Sequence, residues 1–164
     1  MAGREVFVHF GAAKAALEVY INGSFVGYSQ GSMTPHEFNI TKFLRYGEEN
    51  LITAKVYRYS DGTYLEDQDM WWLCGIYRDV YLYAESPVCI RDFYFRTTFD
   101  NFYNDATASL DVVLKNYWAI KGTAVLEAKL ISESGEEIPL GEMSADLDFS
   151  KKTLKFRANV SNLT

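Results

Sequence analysis

Hydrophobic and polar residues alternate with a period of two along most of the chain. Residues 6–10 put Val6, Val8 and Phe10 on one face and Phe7 and His9 on the other, the spacing of a β-strand. Residues 17–21 and 25–28 repeat the pattern on either side of Asn22-Gly23, a pair that tolerates positive φ and closes two-residue hairpins. Gly27, Ser29, Gly31 and Ser32 then predict a loop around Gln30. Residues 35–40 read as a short extended segment, and Thr41 as the N-cap of one helical turn through Leu44. Residues 50–59 predict a long strand, with Leu51, Thr53, Lys55 and Tyr57 opposite Ile52, Ala54, Val56 and Arg58. The apolar run 76–83 closes this set. Pro87 marks a boundary, and five further strands follow at 88–97, 108–116, 123–131, 138–143 and 153–160, with polar turns at 132–135 and 146–151. No stretch has the period of an amphipathic helix. The expected fold class is therefore all-β, with one sandwich in residues 1–86 and another in residues 87–164. The second has the strand spacing of an immunoglobulin-like sandwich of the disulfide-free kind.

Residues 60–80, SDGTYLEDQDMWWLCGIYRDV, break the alternation. Asp61-Gly62 reads as a turn. Glu66, Asp67 and Asp69 gather carboxylates that repel one another unless a cation or hydrogen-bond donors neutralise them. Trp71 and Trp72 follow at once. An indole face takes the C–H face of a sugar ring while nearby carboxylates take its hydroxyls, so the stretch reads as a binding loop raised on a β scaffold. The plainer reading is a solvated acidic loop beside a pair of core tryptophans.

The run SDGTYLEDQDMWWLCGIYRDVYLY and the preceding VYINGSFVGYSQGSMTPHEFNITKFLRYGEENLITAKVYRYSDG resemble the first domain of bacterial β-galactosidases of glycoside hydrolase family 2. The resemblance runs from about residue 4 to residue 83; beyond Pro87 it is weaker and is to the family's second, immunoglobulin-like domain. It implies a galactose-binding-like jelly roll that supplies one wall of a galactosyl site. It also implies that Asp69 contacts galactose and holds Na⁺, a hard cation suited to a carboxylate oxygen. Asp61 and Gln30 match positions that help hold a Mg²⁺ away from the chemistry, although Asp61 suits a turn equally well. Glu66 and Asp67 are expected to orient the loop or to meet a neighbouring subunit, and one of the two tryptophans to be core.

The same resemblance places the acid/base and nucleophile glutamates in a (β/α)₈ barrel outside this sequence, so no catalytic residue is expected here. Elementary geometry agrees. Hydrolysis with retention needs two carboxyl groups about 5–5.5 Å apart, one of them protonated, and neighbours in a single loop splay apart. Measured against the family, both units look incomplete. Open sheet edges template association, so self-association or strand exchange is expected, and a homo-oligomer for the parent protein.

Composition narrows the partners. Of 164 residues, 48% are hydrophobic and 23% charged, which is ordinary globular usage. Aromatics at 16% favour packed strands. A net charge of −6 argues against nucleic acid, which needs clustered Lys and Arg. No apolar run reaches the roughly 18–20 residues of a membrane span. Cys74 and Cys89 lack disulfide or metal spacing, which suits reduced thiols in a cytoplasmic protein. Two competing readings are a free-standing carbohydrate-binding module and a structural domain pair for subunit assembly.

Overall fold

The structure is a computed structural model that describes residues 2–66, 71 and 73–160. It divides into two compact units, Met1–Ser86 and Pro87–Thr164.

In the first unit the alternating segments become β1 (Glu5–Phe10), β3 (Ala16–Ile21), β4 (Ser24–Gln30), β5 (His36–Asn39), β6 (Ile52–Tyr57) and β8 (Val80–Glu85), with short strands β2 (Ala13–Lys14) and β7 (Gly75–Ile76). The pairings are antiparallel, in the orders β5-β1-β8, β4-β3-β6 and β2-β7. Period-two spacing turns Val6, Val8 and Phe10 of β1 toward Leu17, Val19 and Ile21 of β3, and these side chains form the core with Ala13 and Ile40. Burial of that apolar surface is the main force holding the sheets together. The β3–β4 hairpin turns on Asn22 and Gly23, at φ of 51° and 81°, the mirror-image turn that matches strand twist.

Several expectations need correction. The loop foreseen around Gln30 begins later, because β4 continues through that residue. Thr41 is not a cap: the single 3-10 turn Thr41–Phe43 follows Ile40 with no side-chain cap. The Thr41 hydroxyl is engaged elsewhere, accepting from the Val6 N–H at 2.8 Å and donating to the Glu5 carboxylate at 3.1 Å. The strand foreseen at 50–59 is the shorter β6. The Asp61-Gly62 turn is the start of a short helix, α1 (Asp61–Leu65). The run 76–83 is split into β7 and β8 by Tyr77, Arg78 and Asp79.

The second unit has a sheet of order β13-β10-β9 and a pair β11-β12. The strands are β9 (Val88–Phe99), β10 (Ala106–Asn116), β11 (Thr123–Ile131), β12 (Glu137–Asp146) and β13 (Lys151–Val160). Ala108, Val112 and Leu114 of β10 pack with Leu154 and Phe156 of β13 and with Leu140 of β12. Among the described residues no helix is long and apolar enough to cross a membrane. The chain is all-β in character, two sandwiches, with one short α-helix among the described residues.

Leu17 is fully buried at the centre of the first core. Leu17→Ala should lower the stability of that unit by about 2–5 kcal/mol, the cost of a buried cavity. Urea unfolding followed at β3 amides measures it, and a loss below about 1 kcal/mol would mean that this core collapses around the gap.

Candidate functional site

The end of β4, the turn after it and the two flanks of the acidic stretch meet in one place. Ser60 precedes α1 with extended backbone, and its N–H donates to the Thr63 Oγ1 at 3.0 Å while Thr63 is buried. This pairing starts the helix. Glu66 ends it, its own N–H donating to the Gly62 carbonyl at 2.8 Å. The helix aims the Glu66 carboxylate at Ser32, whose N–H donates to both carboxylate oxygens at 3.2 Å. From the other flank, the Tyr77 hydroxyl donates to the Ser32 carbonyl, and the Arg78 Nη1 donates to the Met33 carbonyl at 3.2 Å. Both sides of the Ser32 backbone are thus held by the two shoulders of the acidic stretch. Ser32 is 2% exposed, so its polar backbone atoms need these partners.

Gln30 lies beside Gly62, the residue after Asp61: a Cβ at Gly62 would sit 3.0 Å from the Gln30 Oε1, a tight contact that the flexible Gln30 side chain would have to relieve. The Gln30 Nε2 donates to the Tyr28 hydroxyl at 2.6 Å, and the Asp61 Oδ1 accepts from the Gly62 N–H at 3.0 Å. A carboxamide oxygen and a carboxylate are hard donors that suit Mg²⁺, which takes six oxygen ligands. Among the described residues no three His, Cys, Asp or Glu side chains converge as a metal cage, so an ion here would draw its other ligands from water or from residues beyond these.

Asp67 and Asp69, the expected galactose and Na⁺ ligand, lie outside the described residues, as does Trp72. Trp71 is described and is not core: it is 83% exposed. Its carbonyl accepts from the Lys14 Nζ at 3.4 Å. Lys14, Trp71, Leu73, Cys74, Ile76 and Tyr77 line an apolar hollow of about 310 Å³. Glu18, by contrast, is already satisfied on the outer face of β3. The Tyr20 and Tyr57 hydroxyls each donate to it at 2.8 Å and hold its carboxyl below the usual range, with Lys55 at 3.7 Å adding to the effect. Such a cluster is a neutralised surface network and leaves little for a ligand.

Ser32 reads only as a loop residue, and Tyr77 and His36 have no role legible in the sequence. Nothing local marks Ser32 or Tyr77, because their contact spans 45 positions. His36 lies beside the turn, its Nδ1 2.7 Å from the Ser29 Oγ. Burial pushes its pKa down, outweighing backbone groups of Gly31 and Ala13 and the charge of Glu66, which pull it up.

Comparison with known proteins shows the family. The family profile "Glycosyl hydrolases family 2, sugar binding domain" matches residues 1–86. The chain belongs to glycoside hydrolase family 2. It is 39% identical over 159 residues to a β-galactosidase of Priestia megaterium, a match covering 96% of this chain and 15% of that protein. It is 50% identical over 105 residues to a β-galactosidase of Vibrio cholerae, covering 64% of this chain and 10% of that protein. The chain therefore spans 15% or less of the length of these two relatives. Among solved structures, a family 2 member from Bacteroides cellulosilyticus superposes with a TM-score of 0.81 at 21% identity, over 98% of this chain and 22% of the other. A β-glucuronidase from Bacteroides uniformis does so with a TM-score of 0.84 at 22% identity, over 98% and 20%. At those identities the likeness concerns the fold alone.

The lowered pKa of His36 fixes the sign of a pH effect. The folded chain keeps this imidazole neutral where the unfolded chain would bind a proton. Its contribution is thus fully present above about pH 6.5, the ordinary histidine value, and is lost as the pH falls below it. Thermal unfolding of the first unit should show stability dropping from about pH 7.5 to about pH 5.5, with a shallower drop in His36→Gln. Equal slopes in the two proteins would show that His36 does not carry the effect.

Proposed function

We propose that this chain is a sugar-contacting, non-catalytic part of a β-galactosidase that hydrolyses terminal β-D-galactosides. The observation that carries the reading is the family match over residues 1–86, which includes the whole acidic stretch, together with half-identity to a named β-galactosidase. In this reading Asp69 forms part of the wall of the galactosyl site and holds Na⁺, and the ion fixes the direction of its carboxylate. Gln30 and Asp61 would help hold Mg²⁺, whose charge would brace the junction of β4 and α1. The catalytic glutamates would come from a barrel domain outside this sequence, and that domain would complete the galactoside site against this wall. The assembled enzyme would be a homo-oligomer of the cytoplasm, with no nucleic-acid or membrane partner. The acidic net charge and the unbridged Cys74 and Cys89 support that setting.

A second reading has one observation in its favour. Trp71, 83% exposed beside an apolar hollow, is the platform a carbohydrate-binding module would use.

One experiment separates the two: titration of the chain with galactose and Na⁺, followed by amide shifts. The β-galactosidase reading expects shifts within residues 62–75 that vanish in Asp69→Ala, and no turnover of a nitrophenyl β-galactoside by the same sample. Shifts at Trp71 with oligosaccharides, indifferent to Asp69→Ala, would replace it with the module reading. Turnover by this chain alone would overturn its non-catalytic role.

A further inference from the structure

One turn of the first unit carries chemistry of its own. Asn22-Gly23 is the only Asn-Gly pair in the sequence, and it forms the β3–β4 turn with both residues at positive φ. Asparagine is thermolabile, and most so before glycine, whose amide nitrogen can close on the side chain. Gly23 is exposed, and apart from its chain neighbours no atom would lie within 4 Å of a Cβ built there, so no other side chain crowds the pair from that side. In the reaction the Gly23 nitrogen gives its proton to solvent and bonds to the Asn22 Cγ. The Cγ–Nδ2 bond breaks, and the side-chain nitrogen leaves as ammonia with a proton from solvent. The five-membered imide then adds one water. Opening at the side-chain carbonyl gives aspartate. Opening at the main-chain carbonyl gives isoaspartate, which routes the backbone through the former side chain and lengthens the turn by one methylene.

The fold draws the reacting side chain away from its own glycine. The Asn22 Oδ1 accepts from the Leu51 N–H at 3.0 Å, and its Nδ2 donates to the Phe43 carbonyl at 3.0 Å and to the Asn50 Oδ1 at 2.8 Å. Both amide protons and the carbonyl oxygen are thus spent on distant segments. Asn50 is itself held. Its Oδ1 also accepts from the Arg45 N–H at 2.9 Å, and its Nδ2 donates to the Arg45 carbonyl at 2.9 Å and the Glu48 carbonyl at 3.0 Å. For the Gly23 nitrogen to reach Cγ, the Asn22 carboxamide has to rotate out of all three of its bonds.

The same bonds give the change a structural consequence. A carboxylate only accepts, so in place of Nδ2 it sets an oxygen against the Phe43 carbonyl and the Asn50 Oδ1. Asn50 cannot turn its amide to help without breaking its bonds to Arg45 and Glu48. The corner that joins the hairpin, the 3-10 turn Thr41–Phe43 and the chain entering β6 then loses two of its ties. We infer that Asn22 is a deamidation site latched by Asn50: the corner keeps the asparagine from converting, and conversion opens the corner.

Peptide mapping by mass spectrometry tests this on the full chain held in mildly alkaline buffer, by the fraction of residue 22 converted to aspartate or isoaspartate. Folded wild type should convert at least about tenfold more slowly than the same chain unfolded in urea. Asn50→Ala should convert about tenfold faster than folded wild type, the factor that one lost hydrogen bond of ordinary strength allows. Leu17→Ala weakens the core without touching the corner and should convert like wild type, because the opening that matters is local. Asn22→Asp tests the other half without relying on an Asn50 variant. Amide exchange at Arg45, whose acceptor is the Asn50 Oδ1, should speed by about tenfold while the β1 amides keep their wild-type rates. Folded wild type converting as fast as the unfolded chain, Asn50→Ala converting no faster than wild type, Leu17→Ala converting as fast as Asn50→Ala, or an Arg45 amide indifferent to Asn22→Asp would each overturn the proposal.

Discussion

The first unit turns on one residue. Ser32 sits sealed at the end of β4, and its N–H and C=O are both claimed by residues from elsewhere in the chain: the Glu66 carboxylate on one side, the Tyr77 hydroxyl on the other. A buried backbone group left without a partner costs about 1–3 kcal/mol, so these contacts are constraints that the fold must satisfy. Because one partner is charged, its bond is among the stronger kinds. The consequence is geometric. Glu66 at the end of α1 and Tyr77 just after β7 flank the acidic stretch, and both are bonded to the same residue.

Everything around that junction serves to present it. The core between β1 and β3 makes the platform rigid, and the Asn22-Gly23 hairpin sets the direction of β4 so that Gln30, and then Ser32, arrive beside α1. The Gln30 side chain reaches Gly62, next in sequence to Asp61. His36 seals the turn from the other side as a buried neutral imidazole. The second unit repeats the logic of packed alternating strands, with a three-stranded sheet and the pair β11-β12.

Period-two alternation made most of the strands legible, since it records which side of each residue meets the core. The hairpin was legible for an equally local reason, the tolerance of Asn and Gly for positive φ. What the sequence hid depends on partners distant along the chain. The run 76–83 reads as one strand, but Tyr77 and Arg78 are drawn out of it to bond Ser32 and Met33. Thr41 has the composition of a cap, but β1 takes its hydroxyl. Asp61-Gly62 reads as a turn, yet an Asp in the first turn of a helix is favoured by the N-terminal dipole, and the Ser60–Thr63 pairing completes the start. Of the site, the acidic stretch was legible as a cluster of charge beside tryptophan. The expected orienting role of Glu66 finds a concrete contact in Ser32, whose part no local pattern announces. Asp69 itself stands outside the described residues, and its role rests on the family resemblance.

The most direct measurement is the exchange rate of the Ser32 amide proton in the wild type and in Glu66→Ala, with Tyr77→Phe as the companion. If the shoulders of the acidic stretch are held on this residue, the wild-type proton is strongly protected. Removal of the carboxylate should then speed its exchange by about 10- to 100-fold, the worth of a bond to a charged acceptor. Tyr77→Phe should loosen the same proton less, because it frees the carbonyl side. A Ser32 amide that exchanges at the same rate in all three proteins would contradict the account and leave the acidic stretch without its anchor.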